Sequence, residues 1–290
     1  MQSTKLQNRG SLILSMCIFG TIGILRRYIP LSSSLVALVR GIIGSVFLIL
    51  VLLLSRKKPD LGAIRKNWIL LALSGAAIGF NWILLFEAYN YTSVATATLC
   101  YYLAPILVIL ASPVVLGETM TAKKLMCTMT ALAGMVLVSG VLDADFSGMA
   151  ELKGILFGIG AAVLYASVIL MNKKMTPVSA YDKTILQLSM AAVALLPYVL
   201  LTEDWAAVSV NPLAVMLLCV AGIVHTGIAY WLYFGSMGSL PSHTVALLSY
   251  IDPILAIVLS MVLLKEPMSL PAGIGAVMVL GAAYISEKQE

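Results

Sequence analysis

The sequence predicts an all-α integral membrane protein, with ten transmembrane helices forming an inverted 5+5 repeat and both termini cytoplasmic. Three observations carry this. Of the 290 residues, 61% are hydrophobic and 11% are charged, where soluble domains carry roughly 25% charged residues. Apolar runs bounded by charge, Gly or Pro recur from one end to the other. A twenty-residue segment of the first half returns at a constant offset in the second. Because a membrane helix takes about 20 residues, ten helices use roughly 200 to 230 and leave only loops and tails.

The chain opens with Lys5 and Arg9 before an apolar run, the charge layout of a signal peptide. That run lacks a small-residue cleavage site and meets Arg26 and Arg27, so 10–29 reads as a retained first span. The following spans are 32–54, 68–89, 92–116, 122–142, 154–171, 184–201, 212–236, 242–264 and 270–285. An even number of crossings puts both ends on one side. Thirteen basic residues (Lys5, Arg9, Arg56, Lys57, Lys58, Arg65, Lys66, Lys123, Lys124, Lys173, Lys174, Lys183, Lys288) share that side. Arg26, Arg27, Lys153 and Lys265 oppose them, and Arg40 falls inside the membrane. Positive charge accumulates in cytoplasmic loops, so both termini are expected there. The net charge of +5 is scattered between apolar runs rather than gathered into a stripe, which argues against a nucleic-acid partner. Cys17, Cys100, Cys127 and Cys219 sit singly in apolar stretches, with neither metal-ligand nor disulfide spacing.

Segment 102–121 (YLAPILVILASPVVLGETMT) lies without gaps on 250–269 (YIDPILAIVLSMVLLKEPMS), and ten of twenty positions agree. Tyr102 meets Tyr250, Pro105 meets Pro253, Ser112 meets Ser260 and Glu118 meets Glu266. Aliphatic runs match by chance; Tyr, Pro and Glu at one offset do not. The same offset lays Gly79, Leu84 and Phe86 on Gly227, Leu232 and Phe234. The two units are therefore 1–142 and 143–290, each of five helices. An odd number of crossings inverts the second copy, and an inverted repeat can open to either side by exchanging the conformations of its halves. This is the physical ground for expecting transport.

With a Pro in the fourth and ninth helices, a Glu just after each and an Arg in the second, the chain resembles the EamA-type branch of the drug/metabolite transporter superfamily. The likeness is densest in 86–118 (FEAYNYTSVATATLCYYLAPILVILASPVVLGE) and is echoed at 252–267. It implies a ten-helix secondary carrier whose central cavity is built from both halves. Members export amino acids and varied metabolites, and related branches move sugar phosphates and nucleotide sugars.

Pro105 and Pro253 cannot donate to the carbonyls of Tyr101 and Ser249, so each is a candidate bend beside the pathway or a packing kink. Asp252 lies about ten residues into its span, where an acid costs about 2.5 to 3.5 kcal/mol, and its repeat counterpart is Ala104. It is a candidate to bind a substrate ammonium or carry a proton, or to pair with another helix. Arg40 lies roughly 12 Å inside its span at 1.5 Å per residue. It needs a substrate carboxylate, a structural acid, or a route by which its head reaches the interface. His225, near the middle of the eighth span, is a candidate to relay a proton or accept a substrate hydrogen bond, or a histidine satisfied locally, whereas Glu87 and His243 read as interfacial and solvated. Trp82, Tyr101, Tyr102, Tyr165, Tyr230, Trp231 and Tyr250 lie within spans rather than at their ends. With Asn81 and Gln187 they have the makeup of a pocket for a small organic molecule, or of packing aromatics. Glu118 and Glu266, with Lys123, Lys124 or Lys265 nearby, read as caps of the helices that follow them.

The expected function is secondary transport of a small polar or zwitterionic metabolite by alternating access, amino-acid or related export above all. The expected setting is a bacterial cytoplasmic membrane, with the protein a monomer or weak homodimer. No GxxxxGK[ST] loop is present, leaving protons, another ion gradient or downhill flow as the driving force. No cofactor or metal is expected. The alternatives are a membrane scaffold or receptor and, with neither HExxH nor GxSxG in the chain, an intramembrane enzyme.

Overall fold

The computed structural model describes residues 2–56, 58–92, 94–139, 149–175, 177–264 and 269–287, all of whose regular structure is helical. The elements are α1 (Gln2–Arg27), α2 (Ser33–Leu54), α3 (Leu61–Tyr91), α4 (Val94–Tyr101), α5 (Ala104–Leu116), α6 (Ala122–Ser139), α7 (Met149–Lys174) and α8 (Ala180–Thr202). There follow α9 (Pro212–Val220), a π-helical segment (Ala221–Ile228), α10 (Ala229–Met237), α11 (Ser242–Leu248), α12 (Ile251–Leu264) and α13 (Leu270–Glu287). Among the described residues, six stretches are long and apolar enough to cross a membrane: Ser33–Leu54, Leu61–Tyr91, Leu99–Leu116, Glu151–Lys174, Ala180–Thr202 and Pro212–Met237. Leucines, isoleucines and valines such as Leu54, Ile69, Val114 and Leu201 cover their outer faces. A coat of this kind is stable in lipid, where helices satisfy their own backbone groups.

Local chemistry sets the ends. Ser32, Asp60, Ser179 and Asn211 each accept the backbone N–H three residues on, capping α2, α3, α8 and α9. Gly117, at φ 69°, closes α5 in a left-handed turn that a side chain would strain. Helices α3 and α7 begin seven and five residues before the expected starts at 68 and 154, since Arg65, Lys66 and Asn67, and Glu151 and Lys153, continue the helix ahead of the apolar runs. Spans 92–116 and 242–264 are each interrupted, at Tyr102 and Leu103 and at Ser249 and Tyr250. In both cases the proline stands in the first turn of the next helix, where its missing N–H removes no intrahelical bond. The repeat boundary at 142 and 143, along with Lys57, Lys265, Glu266 and Lys288, lies outside the described residues.

Helix α3 packs on α7 and α8, α2 on α8 and the π segment, α1 on α10 and α12, α5 on α11, and α6 on α13. Three of these contacts join corresponding helices of the two halves head to tail. Ser32, before α2, donates to Glu203, after α8, while the Asp60 N–H, beyond α2, donates to Asp182 at the start of α8. Glu118, after α5, meets Ser242, where α11 starts, while Tyr102, before α5, meets Tyr250, where α11 has ended. On α6 and α13, Gly134 abuts Gly275, and Lys123 and Cys127 share a groove with Ala282 and Ile285. A Cβ on Gly134 would lie 2.7 Å from the Gly275 carbonyl oxygen. Glycine is what lets these two backbones touch.

Candidate functional site

The residues gathered at the centre come from both halves. Arg40 of α2 extends over Trp82 of α3, with its guanidinium carbon 4.8 Å from the ring centroid. Its Nε is buried without a hydrogen-bond partner. Trp82 meets Tyr230 of α10 edge-on at 6.3 Å, and Phe19 of α1 closes on the same Tyr230 at 5.0 Å. Tyr101 stacks on Tyr165 of α7 at 5.4 Å and touches Tyr102 at 5.7 Å. Tyr102 in turn meets Tyr250 at 6.1 Å. The Tyr250 hydroxyl donates to the Tyr102 carbonyl at 3.0 Å, giving a partner to backbone that the helix interruption leaves free. Trp82 with Tyr230, and Tyr102 with Tyr250, hold matching positions at the constant sequence offset and meet each other.

Asp252, in the first turn of α12, is half-buried and lies within electrostatic reach of Tyr101, Tyr102, Tyr230 and Tyr233. Arg40 approaches the same Tyr101 and Tyr230. Among the described residues, neither charge has an ion-pair partner. A guanidinium and a carboxylate thus share two tyrosines without neutralising one another. Such an arrangement suits a ligand that carries both an anion and a cation.

A cavity of about 240 Å³ descends to Arg40, lined by Ile22, Leu25, Ser33, Val36, Phe86 and Tyr89 among others. It shares Ser33, Phe86 and Tyr89 with a second, more polar space of about 440 Å³ that reaches Glu87, Glu203 and Asp204. Glu87 accepts the Tyr198 hydroxyl there, so it is tied to α8 at the mouth.

Other expected residues are placed differently. Asn81 donates to the Ala161 carbonyl at 2.6 Å, a bond between α3 and α7. Gln187, fully buried, donates to Ser74, joining α8 to α3. Both amides are committed to interhelical bonds. His225 sits in the π segment, with Nε2 2.8 Å from the Thr21 hydroxyl and Nδ1 3.4 Å from the Val220 carbonyl. Its π turn packs on α2, where a Cβ at Gly222 would meet Ile43 at 2.4 Å. Trp231 packs on Tyr181 at 5.1 Å, away from the other central rings. His243 is buried (4% exposed) rather than solvated, because the whole of α11 is enclosed. Glu118 does cap a helix, but it is α11 of the other half rather than α6, and its cation is Lys173 rather than Lys123 or Lys124.

Sequence reasoning missed Phe19, Thr21, Tyr233 and Lys173. Tyr233 donates to or accepts from the Tyr165 hydroxyl at 2.7 Å and is fully buried. Its three-residue spacing from Tyr230 was the available signal. Nothing in sequence singled out Thr21.

The profile of the EamA-like transporter family matches residues 10–140 and again 152–287. A Bacillus subtilis protein named "Uncharacterized transporter YxxF" is 28% identical over 95% of this chain and 88% of its own. An Archaeoglobus fulgidus "Uncharacterized transporter" is 27% identical over 96% of both chains. "Protein PecM" of Dickeya dadantii is 24% identical over 93% of this chain and 88% of its own. A solved crystal structure superposes with a TM-score of 0.83 at 21% identity, over 97% of each chain, a likeness of fold.

Proposed function

The chain belongs to the EamA-like transporter family of the drug/metabolite transporter superfamily and is a multi-pass membrane transporter; from that premise we propose that it moves a small zwitterionic metabolite, an amino acid or close relative, by alternating access. One observation carries the substrate class: Arg40 and Asp252 bear opposite charges, lack ion-pair partners among the described residues and lie within electrostatic reach of the same Tyr101 and Tyr230. A ligand carboxylate at Arg40 and ammonium at Asp252 would satisfy both. The half-exposed faces of Tyr101, Tyr102, Tyr165 and Tyr230 offer the ammonium further stabilisation from their π systems. Trp82 and Tyr250 pack against these rings, and the interruptions before Pro105 and Pro253 support a reading of both prolines as bends beside the site.

The reading takes the fourteen helical pieces as ten spans, the interrupted ones counting once, with units 1–142 and 143–290. Head-to-tail packing of corresponding helices supports an inverted relation. A two-fold axis in the membrane plane brings such pairs together antiparallel, whereas an axis along the membrane normal would bring them together parallel. The excess of basic residues on one side supports cytoplasmic termini, in a bacterial cytoplasmic membrane. Protons are the proposed coupling ion, acting at Asp252, and the unit is a monomer or weak homodimer.

Proteoliposome counterflow tests this. Vesicles preloaded with one amino acid should transiently accumulate the same labelled compound, at a rate that depends on the protein. A panel of neutral, anionic, cationic and zwitterionic solutes decides the class: accumulation confined to solutes with one kind of charge would overturn it.

A further inference from the structure

The cavity opens at the end of the molecule that carries the α1–α2 and α3–α4 turns, and the opposite end is closed by a cluster with no role in holding substrate. Glu118, just beyond α5, accepts the Ser242 backbone N–H at 3.2 and 3.3 Å through its two oxygens, and the Ser242 hydroxyl at 2.9 Å. The Lys173 ammonium, at the end of α7, stands 3.4 Å from Glu118 Oε1 and donates to the Leu240 carbonyl in the turn before α11. Lys173 is 9% exposed and Glu118 24%, so water screens this pair less than a surface one. The carboxylate thus ties the end of the first half's broken span to the start of the second half's. Any separation of α5 from α11 must break the Glu118–Ser242 bonds and one of the two Lys173 contacts.

We propose that Glu118, Lys173 and Ser242 are the inner latch of the transporter, closed while the cavity is open to the outside. This inference rests on the alternating-access reading. The latch biases which side is open and does not contact substrate. A cap that only stabilised the fold would alter thermal stability without altering sidedness.

The test uses thiol labelling of full-length protein in membrane vesicles, after replacing Cys17, Cys100, Cys127 and Cys219 with serine. A single Cys at Thr244, buried behind the latch, reports cytoplasmic opening; a single Cys at Ser33, in the cavity wall, reports outward opening. A membrane-impermeant maleimide is applied from one side at a time. Glu118→Gln and Lys173→Met should each raise cytoplasmic labelling at 244 about tenfold and lower outward labelling at 33, because a hydrogen bond to a charged group then no longer favours the closed end. Lys173→Arg should keep the parent ratio. Unchanged ratios in Glu118→Gln and Lys173→Met, with the parent labelled at 33 from outside and at 244 from inside, would overturn the latch and leave alternating access standing. A parent never labelled from the cytoplasm, with or without the transported solute, would overturn both.

Discussion

Replacing Asp252 with asparagine should move stability and transport in opposite directions. Asparagine keeps the shape and removes the charge. In the structure the carboxylate is half-buried in the first turn of α12 and, among the described residues, has no cationic partner. An acid deep in a span costs about 2.5 to 3.5 kcal/mol, and the α12 N-terminus recovers at most about 1 kcal/mol of it. Allowing for the polarity asparagine retains, the neutral variant should gain about 1 kcal/mol, read as a rise of about 2 °C in Tm in detergent. A charge-assisted hydrogen bond to a substrate ammonium is worth about 1.5 to 3 kcal/mol. Its loss should cut initial counterflow rates at subsaturating solute about ten- to hundredfold. If Asp252 instead held the helices together through an ion pair, both stability and transport would fall. A variant that loses Tm, or that transports a zwitterion at the parent rate, would refute the assignment.

Trp82→Leu removes the face beneath Arg40, and a desolvated cation–π contact is worth about 2 kcal/mol; binding of the transported solute, measured by thermal shift, should weaken about thirtyfold, with Trp82→Phe recovering most of it. Asn81→Ala deletes the bond to Ala161 and should cost about 1 kcal/mol in stability, lowering Tm while leaving solute affinity at the parent value. Gly134→Val drives a side chain into the Gly275 backbone and should destabilise by about 1 to 3 kcal/mol or prevent α6 from docking on α13, read as aggregation in size-exclusion chromatography. An imposed pH gradient should accelerate uptake in the parent but not in Asp252→Asn; indifference in both would make the protein a facilitator.

Much of the architecture could be read from residue order because lipid leaves helices few options. Apolar length and the Tyr, Pro and Glu landmarks of 102–121 and 250–269 were visible as text. What was not visible depends on which side chains meet. Asn81 and Gln187 carry the same chemistry as pocket residues, and only the approach of Ala161 and Ser74 commits them to packing. His225 looked like a lone buried base, while its neighbour Thr21 lies 204 positions away. Glu118 was legible as a cap, but its target was not. The helix that it caps lies beside it only because the two broken spans run antiparallel. The π turn at Ala221–Ile228 has no simple sequence mark, since it answers to the close fit of Gly222 and Gly227 on α2.

Distances at the two ends of the molecule test the exchange of conformations most directly. Spin labels at Tyr91 and Leu263 report one mouth, and labels at Thr119 and Ser239 report the end closed by Glu118; all four positions are exposed. During turnover of the solute identified by counterflow, pulsed EPR should show one pair lengthening as the other shortens. Two fixed distances, or two that change in the same sense, would contradict a carrier built from inverted halves.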